Sequence, residues 1–156
     1  RFLPALATSA DLAPGARVAS RQASRYLDLA PISVAVELEG SHRVLLGAAA
    51  RLEEEADEAQ DAKVGPAPAA VLEAARAAAE QEARAVLARR EEVAKGLLIA
   101  HADAEEERLV QAAFQGGAPR ERVDAALAAL RQRQDVIGKA ISRARLELDA
   151  VAVVVP

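Results

Sequence analysis

Apolar positions recur at helical spacing along most of the chain, most cleanly near its end. Val123, Leu127, Leu130, Gln134, Ile137, Ile141, Ala144, Leu148 and Val151 follow one another in alternating steps of four and three. That is the heptad seam of a left-handed coiled coil. Gln134 is its only polar member. It either fixes register or oligomeric state, at some cost in stability, or sits at a solvated point. Pro119 suits the first turn of this helix, and the pattern predicts a helix over about 119–152.

The segment before it is longer. Leu72, Ala75, Ala79, Ala83, Val86, Val93 and Leu97 form one face of a helix predicted over about 68–115. At about 1.5 Å per residue it is roughly 70 Å long. Gly96 is the expected place for a bend, and Gly116-Gly117 the expected stop. Val34, Leu38, Leu45, Ala49, Leu52 and Ala56 predict a further helix over about 32–63, opened by Pro31 and broken by Gly65, Pro66 and Pro68. Ile32 to Val36 also alternates like a strand. Helix is preferred there because no partner strand is evident in the residues that follow.

At the other end, Pro4 and Pro14-Gly15 mark residues 1–15 as irregular. Residues 16–29 form a short helix with Val18, Gln22 and Leu29 inward. Arg17, Arg21 and Arg25 share one face, which is a solvated surface or a grip for an anionic partner or lipid headgroups. The valine-rich end, Ala150 to Val155, suits a strand or a buried tail. The expected fold is therefore all-α: a long antiparallel helical hairpin, or three-helix coiled-coil-like bundle, over 31–156. An irregular segment and short helix over 1–30 precede it.

Composition sharpens this picture. Just over half of the 156 residues are apolar, yet the aromatic residues are Tyr26, Phe2 and Phe114 alone. Alanine and leucine dominate, and both favour helix. An alanine-rich core buries little area per side chain, so stability has to come from helix length and close approach. The net charge is −4, with both signs mixed along the chain. Clustered basic charge, the footprint of nucleic-acid binding, is missing. The apolar runs are too short to span a bilayer, which leaves membrane contact only at the surface. The chain has neither cysteine nor methionine, not even at position 1. That fits either a removed leader or a fragment of a longer protein. The expected location is periplasmic or otherwise extracytoplasmic, with the cytoplasm as the alternative.

No glycine-rich phosphate loop, nucleophile elbow or H-E-x-x-H motif is present. The two histidines are the candidate metal ligands. Glu39 and His42 form a Glu-x-x-His pair on one helical face, one of the two such pairs that a di-iron bundle uses together with two further glutamates. His101 has Glu105 one turn later, a second place for a divalent transition metal. Folded back at Gly65, the two histidines are offset by 13 residues, roughly 20 Å of helix. Ligands must lie about 2.0–2.2 Å from an ion, so one hairpin does not join them. The triplets Glu53-Glu54-Glu55 and Glu105-Glu106-Glu107 spread around a helix and read as solvated charge.

Tyr26-Leu27-Asp28-Leu29-Ala30-Pro31, followed by the amphipathic segment containing His42, resembles the first long helix of periplasmic heavy-metal sensors and stress chaperones. These are the CnrX-like and Spy-like proteins with L-T-x-x-Q motifs. Val123 to Arg131, running on to Leu146–Val151, is similar in pattern to their last helix. The resemblance covers residues 26–151. It implies a dimeric helical hairpin that senses metal or holds unfolded clients, with His42, Glu39 and His101 as candidate ligands. The sequence thus points to a non-catalytic binding protein acting on a protein partner or a second copy. The alternative is a coiled-coil scaffold or accessory subunit of a larger assembly.

Overall fold

The computed structural model describes residues 1–6, 14–38, 43–45, 48, 51 and 68–151. Among them it is mostly helical. Helix α1 is Pro14–Ala23, α2 is Ala69–Gly116 and α3 is Arg120–Ile141. Two short strands, β1 (Phe2–Ala5) and β2 (Arg145–Leu148), pair in a small antiparallel sheet. The purely α expectation is corrected by that sheet.

Two compact units are formed from interleaved parts of the chain. The first takes Arg1–Pro4, Ala30–Ala88 and Leu146–Pro156, the second Ala5–Leu29 and Arg89–Arg145. The N-terminal residues are built into the fold by backbone pairing.

In the first unit, Phe2 and Ile32 exchange two backbone hydrogen bonds of 2.8 Å, and Val36 bridges Val44. Residues 32–38 are therefore not the start of a helix. The β-branched run Ile32, Val34, Val36 took its alternative, extended state. Its pairing partners lie on both sides of it in the chain: Phe2 before it, and residues 43–45 after it, inside the segment that the helical pattern claimed. The Arg1 guanidinium reaches the Asp149 carboxylate at 2.6 Å, and the Asp149 N–H donates to the Arg1 carbonyl at 3.0 Å. Among the described residues of this unit, Phe2, Ile32, Ala75, Ala83 and Leu87 are buried.

In the second unit, α1 packs on α3. Its inward residues are Ala19, Ser20 and Ala23, followed by Leu27. Val18, expected inside, is exposed, while Gln22 and Leu29 are half-buried. Helix α2 passes through Gly96 unbroken and stops where expected. Gly117 adopts a left-handed φ of 60°, and the Ala118 N–H returns to the Ala113 carbonyl at 3.0 Å. That six-to-one bond defines a Schellman ending. Beyond Pro119, α3 runs beside α2. Arg131 and Arg133 pair with Glu106 and Glu105 at 2.8 and 2.6 Å. A Cβ on Gly138 would lie 3.9 Å from Leu98 Cδ2. Numbers rise along α3 as they fall along α2.

In α3, Leu130, Ile137 and Ile141 are buried, and Val123, Leu127 and Gln134 are half-buried. The expected end at 152 is wrong, because the helix finishes at Ile141. The N–H groups of Arg143 and Ala144 turn back to Ala140 and Ile141, three residues earlier. The tighter last turn then releases Arg145-Leu146-Glu147-Leu148, which alternates as a strand should. Val151 is exposed, and residues 152–156 lie outside the described residues.

Candidate functional site

The surface of α2 in the second unit is the most distinctive feature of the molecule. Val93 and Leu97, read from the sequence as core, are 65% and 54% exposed. Ala94, Leu98 and Ala102 are buried instead. The inward face is turned away from the largest side chains of the expected stripe. Ala100 and Ala104 continue the stripe at steps of three and four, and both are exposed. Phe114, in the last turn of α2, is 91% exposed.

One border of this stripe is fixed by the segment after α1. The Arg90 guanidinium meets the Asp28 carboxylate at 3.3 Å, and also donates to the Asp28 carbonyl at 3.3 Å. Eleven residues on, three helical turns, His101 Nδ1 lies 2.6 Å from the Tyr26 hydroxyl. Buried Leu27 sits in sequence between these two clamps. The sequence offered no signal for them, since Tyr26 and His101 are 75 residues apart.

The clamp also locates two of the proposed metal ligands. His101 is hydrogen-bonded to Tyr26, and Glu105 accepts from Arg133 at 2.6 Å. An ion taking both residues has to displace a phenol and a guanidinium. His42 and Glu39 lie outside the described residues. Among the described residues, no three metal-ligating side chains gather, and no helix is long and apolar enough to cross a membrane.

An open groove of about 510 Å³ runs between α2 and α3, with Leu98, Ile99 and Gly138 among its lining residues. Lys95, Arg131, Lys139 and Arg143 also line it. Lys95 is paired with Glu92, Arg131 with Glu106 and Lys139 with Asp135. Little uncompensated charge remains to hold an anion. Gln134 lines the same groove, so this seam position is reached by solvent.

Glu91 is the described group that departs clearly from its ordinary acidity. It lies one turn from buried Leu87 and Ala94, on the inward flank of α2. Burial raises its pKa above 4.5, Lys95 opposes this and Glu92 adds to it. A raised native pKa favours the protonated fold. The contribution is fully present below the unfolded pKa and is lost as pH rises through the native one. Glu91→Gln is therefore expected to raise the urea midpoint at neutral pH and to change nothing well below pH 4.5. Equal effects at both pH values would dismiss burial as the cause.

Comparison of the chain with family models, curated proteins and solved structures gives no match.

Proposed function

We propose that this chain is a non-catalytic helical protein that works by protein–protein contact. An antiparallel hairpin of α2 and α3, joined in coiled-coil fashion along the α3 seam, displays the apolar stripe of α2. The observation that carries this reading is the exposure of Val93 and Leu97, with Ala100 and Ala104 in line behind them. Single exposed apolar residues are ordinary, but a continuous apolar surface marks an interaction site. Holding Leu97 in water forgoes about 1–2 kcal/mol of burial energy, which binding recovers.

The stress-protein version of this reading is an apolar surface that captures unfolding clients. It is supported by the same stripe and by Phe114 at its far end. Light scattering of a heat-unfolded client protein tests it. The intact chain is expected to delay aggregation, and Leu97→Asp with Phe114→Ser to abolish the delay. Both positions are exposed, so the variant keeps its helical circular dichroism. No delay by the intact chain, or an equal delay by the variant, would remove the reading.

A further inference from the structure

The exposed face of α2 is complementary to itself. Val93 and Leu97 are one turn apart and are centred on position 95. Arg89 and Asp103, two heptads apart, share the flank beside them and are centred on position 96. Both are exposed, and neither has an ion-pair partner among the described residues. Gly96 stands midway on that flank, and a Cβ there would meet nothing within 4 Å. The other flank carries Arg90 and His101, which face Asp28 and Tyr26. The side left open is the one bearing Arg89, Gly96 and Asp103.

A second α2 turned end for end about this point satisfies both pairs at once. Val93 meets the partner's Leu97, and Arg89 meets the partner's Asp103. Two-fold symmetry makes each contact twice. In a parallel pair the two-fold axis runs along the helices and carries the like flanks to opposite sides, so Arg89 and Asp103 do not meet. Gly96 lies near the two-fold axis, where two helices need the least bulk. Ala100 and Ala104 also keep the surfaces close. We propose that a second copy of this chain docks antiparallel on residues 89–104, forming a homodimer. The proposal rests on reading the α2 face as a contact surface, and it names the partner.

The paired segment is 16 residues, about 24 Å of helix. It falls at or below the lower end of stable interfaces, about 1,200 Å² in total, so the dimer forms in the micromolar range and above. Sedimentation equilibrium across that range tests it. Wild type is expected to interconvert between monomer and dimer. Arg89→Asp sets two pairs of like charges across the axis and is expected to weaken the dimer about tenfold, as is Asp103→Arg. The double variant Arg89→Asp/Asp103→Arg restores opposite charges and is expected to return the dimer to wild-type strength. Leu97→Asp abolishes it. A wild-type monomer at every concentration overturns the proposal. So does a dimer indifferent to single charge reversal, or one that the double swap fails to restore. A monomer that still delays client aggregation defeats the dimer alone. A charge-swappable dimer without that delay establishes it and defeats the client reading.

Discussion

Ile141→Ala is expected to lower the unfolding free energy by about 3 kcal/mol, whereas Leu97→Ala changes it by no more than about 0.5 kcal/mol. The two residues lose similar amounts of hydrocarbon. Their positions differ, since Ile141 is fully buried and Leu97 is 54% exposed. Truncating Ile141 removes its transfer energy and leaves a cavity. The buried alanines of the same unit, Ala19, Ala23, Ala94 and Ala102, have no flexible side chain with which to fill it. Collapse is therefore poor and the penalty stays near the middle of the large-to-small range. Against a total of about 5–15 kcal/mol, such a loss moves the urea midpoint far, with little change in slope. The comparison is made at concentrations too low for self-association. Equal losses for the two variants would reverse the assignment of the inner face of α2.

That assignment shows where sequence reasoning was sufficient and where it was not. The ends of α2 were legible because proline and glycine act locally. Pro68 precedes the helix and Gly117 takes the left-handed conformation that stops it. The seam of α3 was legible because its large side chains, Val123, Leu127, Leu130, Ile137 and Ile141, stand out by size, with Val136 the one other large apolar residue of that helix. The inner face of α2 was not, since alanine occurs all around it. Every line drawn along such a helix is partly apolar. Val93 and Leu97 stood out by size, but the buried choice, Ala94 and Leu98, follows from what packs against it.

The strands failed for another reason. Alternation over four residues is a weak signal, and a strand exists only with a partner. Phe2 is 30 residues before Ile32, and β1 pairs with β2 across nearly the whole chain. Leu148 satisfies the heptad and the alternation alike, so counting the seam onward carried the helix past its end. For the candidate site, His101 was visible as a chemistry-bearing residue. Its neighbour Tyr26 was not, since only the fold brings them to 2.6 Å.

Gly96→Ala is expected to raise stability by about 1 kcal/mol, and Gly117→Ala to lower it by about 1–2 kcal/mol. The same methyl group is added in both cases. At Gly96 it enters the interior of a continuous helix and meets nothing within 4 Å. The native state gains no clash, and the unfolded chain loses backbone freedom, which stabilises the fold. At Gly117 the surroundings are equally open, but the φ of 60° is one that a Cβ disfavours. The variant must carry that strain or give up the Ala118-to-Ala113 hydrogen bond that closes the helix. Urea denaturation of the two variants, measured where the chain is monomeric, should move the midpoint in opposite directions. A neutral Gly117→Ala would mean that the turn into α3 can be rebuilt without its left-handed residue. A destabilising Gly96→Ala would mean that this surface is already covered in the monomer. The opposite pair of shifts therefore checks the two backbone features that bound the α2 face: an open middle and a rigid end.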